Sequence, residues 1–174
     1  MSRLDLSELN SSQVYENLTK LVSPRPLFWA VTKSRTDENW NIAPFSFVTI
    51  SSITEPHVLI AVGKGVNGEK SKTLKNIEKY CHFTLNTTDE MCFKMLMNAC
   101  KGNDYSSVPV LGNGQIKGAK SVSFCEYVKT IDEEFLDNYL VIARVSKVSV
   151  AGGGSVGCAN SGNFFSATDL IKMD

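Results

Sequence analysis

Most features that mark a specialised protein class are missing from this 174-residue chain. Net charge is missing: 18 Lys and Arg balance 18 Asp and Glu, which argues against a partner held mainly by electrostatics, so nucleic acid is not expected. No apolar run reaches the roughly 20 residues that cross a bilayer, and no membrane partner is expected. Met1-Ser2-Arg3-Leu4-Asp5 lacks the basic-then-apolar pattern of a secretory signal, so the expected location is the cytoplasm. Histidine is scarce, with only His57 and His82, and the 5 cysteines form no C-x-x-C pair. No metal centre is expected, and the thiols read as free in a reducing compartment. Neither a nucleophile elbow nor H-E-x-x-H is present. Catalysis by protein side chains alone is therefore not evident, and any redox chemistry would come from a bound cofactor.

What is present is enough apolar material, 43% of residues, to bury the core of one domain over residues 1–174 without disulfides. Val14, Leu18 and Leu21 share a helical face behind the cap candidates Ser11 and Ser12. Pro24 and Pro26 end that helix. Leu27 to Lys33 and Asn41 to Ile53 read as paired strands across the polar turn at Thr36–Asn39, with Pro44 marking an edge or bend. Val58 to Val62 reads as a strand buried on both faces. Ser71 to Tyr80 reads as a helix with Leu74 and Ile77 inward, and His82 to Thr87 as a strand. Thr87-x-x-Glu90 is a capping-box pattern for a helix reaching Cys100. Gly102 to Lys120 has little periodicity and reads as a long functional loop or lid. Ser121 to Thr130 and Tyr139 to Val150 read as two further strands. Strands outnumber helices and short turns join neighbours, so the expected class is a mainly β, antiparallel barrel with peripheral helices.

Two glycine-rich stretches invite nucleotide readings and both fail. Gly152-Gly153-Gly154-Ser155-Val156-Gly157 matches G-x-G-x-x-G, but Cys158-Ala159-Asn160-Ser161-Gly162 is a poor helix and too little chain follows for a βαβ unit. These glycines read as a flexible connection. Gly63 to Gly68 resembles a phosphate loop until Glu69 stands where the lysine belongs. The physics of a loop entering a helix persists, because Lys70, Ser71, Lys72 and Thr73 offer free amides, hydroxyls and positive charge to an anion. The same residues equally describe a capped, solvated helix start.

Several motifs in fixed order point further. Ser23-Pro24-Arg25-Pro26-Leu27-Phe28-Trp29-Ala30-Val31-Thr32, Asn41-Ile42-Ala43-Pro44-Phe45-Ser46-Phe47, Glu55-Pro56 before a buried strand, and Ser71 to Ile77 followed by His82 to Asn86 closely resemble the flavin reductase-like, FMN-binding split-barrel family. The resemblance is dense from Ser23 to Asn86 and returns at Asn163-Phe164-Phe165. It implies a six-stranded antiparallel split β-barrel, a homodimer, and FMN held non-covalently. By the same resemblance, Ser46, Thr49 and Ser52 hydrogen-bond the flavin ring edge and ribityl chain, and Lys70, Ser71, Lys72 and Thr73 meet the phosphate. Thr32, Asn41, Ala43, Pro44 and Phe45 complete the lining, with Trp29 as a packing surface. Relatives often carry Lys-Asp-Thr where this chain has Ser71-Lys72-Thr73, and Asn where Thr49 stands.

The function so implied is an oxidoreductase passing electrons from NADH or NADPH through bound FMN to a flavin, metal complex or other small acceptor. A flavoredoxin-type electron carrier serving a redox partner protein is one alternative. A non-catalytic barrel for flavin or another phosphorylated ligand is a second.

Overall fold

The computed structural model describes residues 5–33, 40–151, 155–160 and 163–166. In chain order the elements are α1 (Ser11–Leu21), β1 (Arg25–Pro26), β2 (Phe28–Thr32), β3 (Asn41–Phe45), β4 (Val48–Ser52), β5 (His57–Gly63), α2 (Lys72–Tyr80), β6 (His82–Thr88), α3 (Glu90–Gly102), β7 (Ala119–Ile131), β8 (Asn138–Val150), β9 (Val156–Asn160) and β10 (Asn163–Ser166).

Seven strands form one antiparallel sheet in the order β3-β2-β6-β7-β8-β5-β4, and β1, β9 and β10 form a small second sheet. The mainly β, antiparallel split-barrel architecture is as expected, with seven strands in the main sheet where the resemblance implies six. The run from Asn41 to Ile53 is two strands, not one. It breaks at Ser46–Phe47, just past Pro44, and its halves end up on opposite edges of the same sheet. The Phe47 carbonyl accepts from Ala61 N–H at 2.9 Å, which fastens the corner to β5. The hairpin expected between the first two strands is present, pairing Phe28 with Phe45 and Thr32 with Asn41.

Two cores lie on the two faces of β2. Ala30 joins Ile60, Leu74, Ile77, Leu85 and Val141 in the first, and Trp29 and Val31 join Leu96, Ile116 and Val122 in the second. The first is covered by α2, whose inward residues are Thr73, Leu74 and Ile77. The second is covered by α3 and by the segment after it. β5 is not buried on both faces: Val58, Ile60 and Val62 are buried while Leu59 and Ala61 are only half covered, on the face that borders a cleft with Val48 and Thr49.

The helix ends follow local hydrogen-bond chemistry. α2 starts one residue later than the expected Ser71 and is capped by it: Ser71 Oγ accepts from Leu74 N–H at 3.2 Å. α1 is capped by Asn10 rather than Ser11 or Ser12, because Asn10 and Gln13 exchange side-chain-to-backbone bonds at 3.1 and 3.0 Å. Leu18 and Leu21 of α1 remain exposed. α3 is capped by Asp89, whose Oδ1 accepts from Cys92 N–H at 2.9 Å, and Thr87 belongs to β6, hydrogen-bonded to Ser121 at 2.7 Å.

The expected 102–120 loop is shorter than the sequence implied and well anchored. α3 runs into it, Val110 bridges Ile116, and Val108 and Ile116 are buried. Of the glycine-rich stretch, residues 152–154 lie outside the described residues, as does the polar turn before Trp40. Gly157 is a strand residue of β9 paired with Pro26, so a strand stands where a dinucleotide turn needs its helix to begin, and that reading is excluded.

Candidate functional site

The β2–β3 pairing sets Thr32 opposite Asn41, and α2 packs against both strands. A polar knot forms where they meet. Asn41 Nδ2 donates to Thr32 Oγ1 at 3.2 Å and to Thr73 Oγ1 at 2.9 Å, and Asn76 Nδ2 donates to Thr32 Oγ1 at 3.1 Å. Both threonines are buried, so their hydroxyls have exchanged water for amide donors. The knot fixes the first turn of α2 to the start of β3. Asn76 was not foreseen, although it sits one turn after Thr73, on the same side of the helix.

Beside the knot, a cleft of about 450 Å³ opens along β3. Asn41, Ala43, Pro44 and Lys72 form one side, and Cys100 and Tyr105 belong to the other. β3 is an edge strand, so its outer row of backbone groups faces this cleft side without a sheet partner, and Pro44 is tolerated there because an edge needs no donor. The first-turn amides of α2 have no intrahelical acceptor, and they carry the positive end of the helix dipole. Lys72 is exposed and makes no ion pair among the described residues. Burial first, and then the Cys100 thiol, push the Tyr105 hydroxyl above its ordinary range, so it stays a neutral donor.

The other residues singled out in the sequence fall elsewhere. Ser46 and Thr49 share a second cleft of about 340 Å³ with Arg25, Phe47, Leu59 and Ala61. Arg25 is buried; its Nη1 donates to the Thr19 carbonyl at 3.0 Å and its Nε to Ser46 Oγ at 3.3 Å, and its guanidinium lies 4.9 Å from the Phe47 ring centre. Ser52 lines neither cleft, and Phe45 packs against the first core. Lys70 belongs to another group, because its Nζ is held by both Glu78 oxygens at 2.8 Å. Trp29 is fully buried in the second core with its ring 6.4 Å from Phe93, and offers no open surface to a ligand.

The family model described as "Flavin reductase like domain" matches residues 22–162. The chain belongs to the flavin reductase-like family. The flavin reductase-like domain thus takes in both cores and both clefts. An uncharacterized protein of Aquifex aeolicus is 30% identical over 92 residues, covering 53% of this chain and 46% of that protein. One of Halalkalibacterium halodurans is 31% identical over 88 residues, covering 51% and 42%. The chain spans about half the length of these relatives or less.

Solved structures share the fold. Nitrilotriacetate monooxygenase component B from Bacillus cereus superposes with a TM-score of 0.82 at 18% identity, covering 99% of this chain and 98% of that one. Pseudomonas fluorescens 2-nitrobenzoate 2-nitroreductase gives 0.80 at 20%, covering 99% and 95%. An FMN-binding protein from Thermus thermophilus with bound p-hydroxybenzaldehyde gives 0.77 at 14%, covering 99% and 100%.

Proposed function

We propose that this flavin reductase-like domain binds FMN non-covalently and works as an NADH- or NADPH-dependent oxidoreductase whose electrons pass to a flavin, a metal complex, another small acceptor or a redox partner protein. The observation that carries the reading is the meeting, at one cleft, of an edge strand, the start of α2 and Lys72, which makes no ion pair among the described residues. A flat, phosphorylated cofactor suits those residues. A phosphate is matched by the α2 amides, with Lys72 supplying charge and Thr73 fixing the turn through Asn41. A planar polar ring edge is matched by the outer backbone of β3, whereas the Ser46 and Thr49 hydroxyls line the other cleft. The cleft volume lies within the roughly 300–1,000 Å³ usual for small-molecule sites.

Bound FMN would supply the electron-transfer chemistry that no side chain here offers. The chain's own residues bind and orient. The knot holds the α2 amides in place, Lys72 attracts the anion, and Tyr105 presents a neutral hydroxyl donor beside the cleft. Neighbouring structures include a monooxygenase component and an FMN-binding protein, which supports both the cofactor and an external acceptor. A homodimer is supported by edge strand β4, where Ile50 is 71% exposed and the adjoining Ile53 84%. Cytoplasmic residence is supported by the four free thiols among the described residues.

The absorbance spectrum of the purified protein, with identification of the released chromophore, tests the reading. A yellow protein that releases FMN and oxidises NADH or NADPH is expected. A colourless protein with no affinity for added FMN overturns it.

A further inference from the structure

A third cleft, of about 440 Å³, opens over β2, β6, β7 and β8. Rings from three separate segments border it: Trp40, Tyr80 and Phe124. None of the three stacks on another; the ring contacts among the described residues join other aromatic side chains. Trp40 and Phe124 pack with one side on the second core, and Lys79 and Lys147 lie over Tyr80 and Phe124. What the rings turn to the cleft is therefore aromatic edge and part of a face, which a flat aromatic guest can meet edge-on or offset.

One wall is built into the fold. Thr84 Oγ1 donates to the Gly114 carbonyl at 2.6 Å, and Ile116 N–H donates to the buried Asn86 Oδ1 at 2.9 Å. Gly114 has φ +86°, and a Cβ there would meet the Thr84 side chain at 3.2 Å. Only glycine fits both the left-handed backbone and the close approach. The turn at 112–114 is thus pinned to β6 as a fixed wall of the cleft.

Among the described residues that line the cleft, the charged one is a cation, Lys33. Lys79 Nζ lies 5.5 Å from the Tyr80 ring centre, and Lys147 Nζ 5.8 Å from that of Phe124. Glu126, opposite His82 in the strand register, is bonded to Arg144 and so is already neutralised. We propose that this cleft binds a small, flat aromatic anion such as an aromatic carboxylate, at a site separate from the FMN cleft. The aromatic walls take the ring, and the surrounding lysines attract the carboxylate. Trp40 borders both clefts, so it forms a shared wall between them.

The test is calorimetric titration of the full chain with 2-naphthoate, with and without saturating FMN, and with neutral 2-naphthylmethanol as the control. One 2-naphthoate per chain is expected in both conditions, with binding weakened about tenfold or more in the K33E/K147E variant, whose two changes are at exposed lysines. The neutral control should bind the parent and the variant alike. Quenching of tryptophan fluorescence by 2-naphthoate should be lost in W40F, because Trp29 is sealed in the core. Absence of saturable binding overturns the proposal. So does displacement of 2-naphthoate by FMN, or equal affinity in parent and K33E/K147E. A chain that takes up no FMN still decides the matter through the titration without it.

Discussion

β3 and β4 are neighbours in the chain and opposite edges of one sheet, and they differ in how far the chain itself completes them. In β3, Ile42 is buried in the second core, Phe45 packs on the first, and Asn41 is bound into the knot with Thr32 and Thr73. In β4, Thr49, Ile50 and Ser51 are exposed, and Val48 alone packs against the first core. Both segments carry β-branched residues suited to a strand. What separates them is what lies over each: α2 packs on β3, and Ile42 shares the second core with Leu96 of α3, while Ile50 of β4 stays exposed. One side chain of five is exposed in β3, against three of five in β4.

The largest effect should come from replacing an isoleucine on each edge. Ile42→Ala should cost about 2–5 kcal/mol, the usual range for emptying a packed apolar site. Ile50→Ala should change the stability of the isolated chain by no more than about 0.5 kcal/mol. Urea unfolding at several protein concentrations measures both. A concentration-dependent loss at Ile50 sharpens the contrast by showing that a second copy covers β4; a large, concentration-independent loss breaks it.

The next pair of substitutions compares the polar support on either side of the corner. Asn41→Leu strips the donor from buried Thr73 and one of two amide donors from Thr32, and should cost about 1–3 kcal/mol. It should also weaken FMN binding, since α2 loses its tie to β3. Ser46→Ala should cost no more than about 1.5 kcal/mol, because Arg25 keeps the Thr19 carbonyl. FMN fluorescence titration and thermal unfolding read the two effects. A larger loss at Ser46 than at Asn41 would place the main support on the β4 side instead.

The contrast between the edges also shows how far the sequence could be read. The β2–β3 hairpin, the strands β6 to β8, and α2 were legible because strand alternation and helical periodicity are local signals. The break at Ser46–Phe47 was not, since an unbroken run of strand-forming residues says nothing about which sheet edge its second half will reach. The α3 cap was misplaced because Thr87, Thr88 and Asp89 are successive residues able to cap. Asp89 took the role while Thr87 was held in the β6–β7 ladder. The burial of Trp29 depends on α3 folding over β2, a tertiary event without a local mark. The candidate site was legible as a set of segments, but its division between two clefts was set by the corner.

The lysines before and within the first turn of α2 sharpen the comparison from the ligand's side. Lys72 lines the β3 cleft and is free of ion pairs among the described residues. Lys72→Ala should lower FMN affinity about tenfold at low salt, with the loss shrinking as ionic strength rises. Its effect on stability should stay within about 0.5 kcal/mol.

The smallest effect belongs to Lys70, which serves neither edge. Its ammonium is held by Glu78, which also accepts from Thr130 at 2.9 Å, and it lies 5.7 Å from the Tyr139 ring centre. The Glu78 hydrogen bond raises the Lys70 pKa above its ordinary value, with burial opposing it. Because the folded value is the higher one, the pair's stabilisation is fully present below the unfolded lysine value of about 10.4 and fades as pH rises through the folded value. The pair is partly exposed, so solvent screening keeps its contribution near or below about 1 kcal/mol. Lys70→Met should therefore lower stability slightly at pH 7, with the difference from the parent narrowing above about pH 10.4, and should leave FMN affinity unchanged. Thermal unfolding at pH 7 and pH 11 with a parallel FMN titration tests this; a drop in FMN affinity as large as that of Lys72→Ala would return Lys70 to the phosphate site.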